Sequence, residues 1–195
     1  MASQALEKFK RQTENSIVLR KTVTPNNLNL EKQIYYHASL ASLVASWDSF
    51  VKAITTEFVN RVRLSSTSSS YSILHKALED QLTEKTKKLN TPNHDNARNH
   101  ILAFTGYDVI SVWNYPKLGW TNIQVKNRLD EIFKVRHSFA HGFSLPKLSW
   151  TTNHKSNTRL KSSDLEFNER FLTHLAKTTD RNLSTHMKSS FGFDF

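Results

Sequence analysis

Arg136, His137 and His141 stand within six residues of one another, and their types suit work on a phosphodiester. An imidazole titrates near neutrality and can take or give a proton. A guanidinium keeps its charge and can meet two phosphate oxygens at once as negative charge gathers on them. Together they can serve attack by a ribose 2′-hydroxyl on the adjacent phosphorus, with no metal in the scheme. His137 and His141 also have the four-residue spacing of a metal-binding pair. With no acidic or third histidine ligand close by on the same helix, no metal and no cofactor is expected.

These residues belong to a helix running from Asn122, as its cap, to His141, with Gly142 as the stop signal. At about 100° per residue, Val125, Leu129, Ile132, Phe133, Phe139 and Ala140 form an apolar face with Arg136 in its middle. A residue that cannot lose its charge thus occupies a place where leucine would serve packing better. Two plainer readings stand beside the catalytic one. Arg136 could snorkel out of the core or pair with a carboxylate on another helix, and His141 could simply suit the negative end of the helix dipole.

The rest of the chain has to hold that helix. The 195 residues suffice for one domain, 1–195, with a substantial core, and 37% hydrophobic content excludes a disordered chain. No apolar run approaches the ~20 residues of a transmembrane helix, and the first residues carry no apolar signal core. The absence of cysteine removes disulfides, thiol catalysis and thiolate metal sites. These features fit a cytoplasmic protein without membrane contact. Only four Gly and four Pro point to long helices with few tight turns. A net charge of +10 favours a polyanionic partner such as RNA.

Periodicity predicts an all-α bundle of about five to six helices. The first covers 4–20, with Leu6, Phe9, Thr13, Ile17 and Val18 on one side, and Thr24-Pro-Asn-Asn27 breaks it. The second, Leu28 to Val62, carries a wide stripe of Tyr36, Leu40, Leu43, Trp47, Phe50, Val51, Ile54 and Phe58. Ala38, Ala41 and Ala45 leave room for another helix on a different side. A polar loop over Ser65–Ser70 leads to a third helix, Tyr71 to Leu89, carried by Ile73, Leu74, Ala77, Leu78, Leu82 and Leu89 and ending in Lys85, Lys87 and Lys88. Thr91 as N-cap and Pro92 as first helical residue open a short helix ending at Gly106. Tyr107 to Trp113 is a short helix or a bend, and Pro116 and Gly119 mark a turn. After His141 the chain is irregular to Lys161, with room for a short β excursion. Ser163-Asp164 caps a last helix to about Met187, and Phe191-Gly-Phe-Asp-Phe195 is an aromatic end that either docks in a groove or frays.

Arg136, four intervening positions and His141 resemble the Arg-x4-6-His motif of the HEPN superfamily of helical ribonucleases. The run Arg136-His-Ser-Phe-Ala-His-Gly142 is similar to its RiboL-PSP branch in particular. The order of Ser42-Leu-Val-Ala-Ser-Trp-Asp-Ser-Phe-Val51, Asn90-Thr-Pro-Asn93 and Gly106-Tyr-Asp-Val-Ile110 ahead of the motif adds to the likeness, which covers about Ile34 to Pro146. The resemblance implies a metal-independent endoribonuclease. Arg136 would stabilise the phosphate, His141 would act as acid/base, and His137 would assist or orient. It implies a homodimer that pools two such sets, and a toxin or host-defence effector with an antitoxin or activating protein. The rival reading is an inactive HEPN-like module that binds RNA or protein, and a metal-dependent hydrolase is a second rival.

Overall fold

The computed structural model describes residues 2–63, 69–142, 144–152 and 156–192. Among these residues are six α-helices: α1 (Gln4–Lys21), α2 (Asn29–Arg63), α3 (Ser69–Lys88), α4 (His94–Thr105), α5 (Asn122–Ala140) and α6 (Ser162–Phe191). Two short 3-10 turns, Val109–Ser111 and Pro116–Leu118, join α4 to α5. The expected β excursion amounts to one isolated bridge, Thr152 with Thr158, and a second such bridge joins Tyr115 to Trp120. Residues 65–68 of the expected serine loop and 193–195 of the aromatic end lie outside the described residues.

The core is built on α2, whose expected stripe is buried from Leu40 through Phe58. Its 35 residues make a rod of roughly 50 Å, long enough for α1, α4, α5 and α6 all to pack along it. Trp47 and Trp113 meet at 5.9 Å between ring centroids near its middle. Their indole N–H groups donate to the Pro92 carbonyl and to Thr179 Oγ1, each at 2.9 Å. Large rings thus enter the core without leaving a buried donor unsatisfied.

The close approach of α1 to α2 uses serines where alanines were expected. Ser16 and Ser39 are buried with hydroxyls 3.0 Å apart, and Ser39 Oγ also lies 2.9 Å from the Ser16 carbonyl. Ala45 is exposed, and so is Val18, because α1 buries Ala5, Leu6, Phe9, Thr13 and Ser16 instead. The first turn of α1 is fully satisfied. Ser3 Oγ accepts the Leu6 N–H at 3.0 Å, and the Glu57 carboxylate accepts from Gln4 and Ala5 at 3.2 and 2.9 Å.

α3 is turned away from its predicted face. Ile73 and Leu74 are exposed while His75 and Leu82 point inward. Two polar anchors set that rotation: His75 Nε2 lies 3.1 Å from the Val59 carbonyl, and the Tyr71 hydroxyl donates to the Val62 carbonyl at 2.9 Å. α4 also starts later than expected, at Asn93, whose side chain accepts the Asn96 N–H at 3.0 Å. Thr91 and Pro92 stay outside the helix because their carbonyls are held elsewhere. The Thr91 carbonyl accepts from Asn93 N–H and Asn96 Nδ2, each at 2.8 Å, and the Pro92 carbonyl serves Trp47. α4 ends as expected at Gly106, in the left-handed region at φ 69°. Asp108 then does two jobs, pairing with Arg98 at 2.8 and 2.5 Å and accepting the Ile110 N–H at 3.1 Å.

Two remaining caps shift by a residue or two. Thr121 caps α5 in place of Asn122, its N–H donating to Gln124 Oε1 at 3.0 Å. Lys161 precedes α6, its N–H received by Asp164 Oδ2 at 3.1 Å, and α6 runs on to Phe191 rather than stopping near Met187. No helix is long and apolar enough to cross a membrane among the described residues.

Candidate active site

The first turns of α5 behave as the wheel requires, with Val125, Leu129 and Ile132 fully buried. Beyond them the buried arc rotates. Arg128, Val135 and Ser138 lie inside, whereas Arg136 and Ala140 are exposed and Phe139 is 45% exposed. Arg136 therefore does not sit in a buried apolar face, as the sequence suggested. The chain after the motif folds back over Arg128 and Glu131 on that arc. Trp150 Nε1 donates to Glu131 Oε2 at 2.9 Å. The Arg128 guanidinium lies over the Trp150 ring at 4.2 Å and the Phe167 ring at 4.9 Å. Arg128 Nε also donates to Asn168 Oδ1 on α6 at 3.0 Å. Burial pushes the Arg128 pKa down to about 10, against the opposing pull of Glu131 and Asp164, so the group still carries its charge at neutral pH.

With that arc buried, the Arg136 line opens onto a groove walled by α2. Arg136 and His137 border a narrow cleft of about 120 Å³ with Val44, Asp48, Asn90 and Pro92. His137 also borders a wider cleft of about 490 Å³, shared with Thr91, Lys134, Ser138, Ser144 and Pro146. The His137 and His141 rings approach to 4.2 Å between centroids at 47°. The helix ends at Ala140 with His141 as its cap, the His141 N–H donating to the His137 carbonyl at 3.2 Å. Gly142 takes φ 68° just after it, the conformation the sequence signal foretold. The three residues singled out from sequence are thus gathered at one helix end, all exposed.

Asp48 is the neighbour that sequence reasoning passed over. Its Oδ2 accepts from Lys52 at 2.8 Å, whereas the buried Oδ1 has no hydrogen-bond partner among the described residues. A carboxylate oxygen in that condition beside a cleft that also holds a guanidinium is suited to orient it. The only trace of it in the sequence is an acid directly after Trp47 inside an otherwise apolar helix stripe. Among the described residues no group of three His, Cys, Asp or Glu comes together that could hold a metal ion.

Past the motif, Phe139 stacks on His37 of α2 at 4.3 Å and 7°. Burial lowers the His37 pKa, which favours the neutral ring. Ile34, one turn earlier on α2, and Leu30 are exposed. The motif end of α5 is thus flanked by an uncovered apolar strip. A larger cleft, about 860 Å³, lies elsewhere, between α1 and α2, lined by Lys8, Lys52, Glu57 and Arg61 among others. It contains none of the three motif residues.

A model of the family described as RiboL-PSP-HEPN matches residues 6–185. The match extends on both sides of the stretch, Ile34 to Pro146, that carries the resemblance, and takes in most of α1 and of α6. Comparison with curated proteins and with solved structures gave no match.

Proposed function

Because the chain belongs to the RiboL-PSP-HEPN family, we propose that it is a metal-independent endoribonuclease acting through Arg136 and His141. The observation that carries this reading is the gathering of Arg136, His137 and His141 at an exposed helix end, beside clefts that a phosphodiester can enter. In the proposed reaction the 2′-oxygen forms a bond to phosphorus as its proton passes to a base. The bond from phosphorus to the 5′-oxygen breaks, and that oxygen receives a proton. His141 serves as acid/base, and His137, in ring contact with it, assists or orients. Arg136 meets the non-bridging oxygens as their charge grows, and Asp48 lines the same cleft.

One chain supplies a single, solvent-open set of these groups, whereas the reaction uses an acid, a base and a charge stabiliser shielded from water. A homodimer closing over the motif ends would bring two sets together. The strip of Leu30, Ile34 and Phe139 supports this assembly, because it would bury apolar surface next to the motif. The role that accompanies the reading is a toxin or host-defence effector, restrained or switched by an antitoxin or activating protein.

The openness of the site also favours a second reading, in which the protein is a module that binds RNA or protein without cutting. Digestion of total RNA by purified protein decides between them. Arg136→Ala and His141→Ala should remain folded and lose ~10²-fold or more of the cleavage, with His137→Ala milder. Wild-type activity in His141→Ala would remove the assignment, and no cleavage by any form would leave the binding module.

A further inference from the structure

A second groove, between the C-terminal half of α3 and the outer face of α4, has about 490 Å³ of space and no acidic residue in its lining. Lys85 and Lys88 stand on one wall, and Asn96, Asn99, His100 and Phe104 on the other. Asn90 lines both this groove and the narrow Arg136 cleft, so the two depressions meet at the loop that precedes α4. We propose that this groove is a nucleotide-binding subsite for single-stranded RNA, guiding the strand that flanks the scissile phosphate toward Arg136. The proposal rests on the ribonuclease reading only for where the cut occurs.

The chemistry of the groove fits that ligand better than a duplex. Lys85 and Lys88 are exposed cations able to meet phosphates, although Lys88 must first share with, or leave, Glu84 on the same helix. Asn99 is exposed and presents a carboxamide, which both donates to and accepts from a base edge. Asn96 is engaged with the Thr91 carbonyl at 2.8 Å and so fixes the wall rather than reads the ligand. Phe104 is half-buried and lies edge-on to His100 at 5.2 Å, a ring on which an unstacked base can lie. His100 is itself tied to Thr55 Oγ1 at 3.1 Å, which holds the floor in place. The volume accommodates a splayed-out nucleotide. A double helix keeps its bases stacked inside, where such a groove cannot reach them.

The test measures binding of fluorescein-labelled 2′-O-methyl RNA, which has no free 2′-hydroxyl and cannot be cut, in single-stranded form at several salt concentrations. Lys85→Ala/Lys88→Ala should weaken binding about tenfold near physiological salt and lower the log–log salt slope by about 1.4, since each lost single-strand phosphate contact removes ~0.7. Asn99→Ala should weaken binding with an unchanged slope. Lys8→Ala/Arg61→Ala removes the same charge from the α1–α2 cleft and should leave binding within about twofold. Equal losses in the two double variants, an unchanged slope in Lys85→Ala/Lys88→Ala, or no RNA bound by the wild type would each overturn the proposal. The cleavage assay stays separate. A protein that binds through this groove and does not cut would refute the catalytic reading and leave the subsite standing.

Discussion

Replacing Arg128 tests why Arg136 is exposed. Arg128 is buried and holds the returning chain through Trp150 at 4.2 Å, Phe167 at 4.9 Å and Asn168 at 3.0 Å. A desolvated cation–π contact contributes about 2 kcal/mol, and a hydrogen bond from a charged donor about 1.5–3 kcal/mol. Desolvation works against these gains. The fall of the pKa from 12.5 to about 10 corresponds to roughly 3 kcal/mol set against the charged form. The charge itself therefore contributes little net stability, and the bulk of the side chain contributes more. Arg128→Met keeps most of the volume and should cost about 1 kcal/mol or less. Arg128→Ala opens a cavity and strips partners from Asn168 and Glu131, for a cost of about 3–5 kcal/mol. In a chain of this length that is on the order of 10 °C in Tm. Both variants should show no change in this difference from pH 5 to 9, since Arg128 stays protonated in the folded and unfolded chain alike. Thermal and urea melts followed by far-ultraviolet circular dichroism give both values. Methionine as damaging as alanine, or alanine costing under about 1 kcal/mol, would refute the reasoning.

Acid should loosen the bundle through His100. Burial lowers its pKa to about 4, so between its unfolded value near 6.5 and that point the unfolded chain binds the extra proton and stability falls as pH falls. The loss should reach roughly 2 kcal/mol by pH 4 after allowance for solvent screening, and His100→Gln should flatten urea-melt stability over that window. RNA products should carry 2′,3′-cyclic phosphate and 5′-hydroxyl ends, with 2′-deoxyribose at the cut blocking cleavage. Products with 5′-phosphates and inhibition by EDTA would favour a metal site using His137 and His141. Co-refolding Arg136→Ala with His141→Ala subunits should restore activity below half of wild type if the site takes arginine from one chain and histidine from the other. A strictly monomeric protein in light scattering would remove that premise.

The sequence alone was sufficient to place the helices and to gather Arg136, His137 and His141 at one helix end. Long runs at three- and four-residue spacing bury their stripe wherever they lie in the core, so Leu40 to Phe58 could be assigned without a structure. The Arg136, His137 and His141 cluster was legible because its members share one helix end, where distances follow from the helix itself. What the sequence could not settle was which arc of each helix would be covered. Covering is a property of neighbours distant in the chain, and a wheel has no knowledge of them. α3 turned because His75 and Tyr71 found backbone carbonyls on α2. Arg136 came out into a groove because Trp150, some fourteen residues further on, closed over Arg128 and Glu131 instead. Asp48 came to border that groove for the same reason: only the antiparallel lie of α2 and α5 brings residues so far apart in sequence to one cleft.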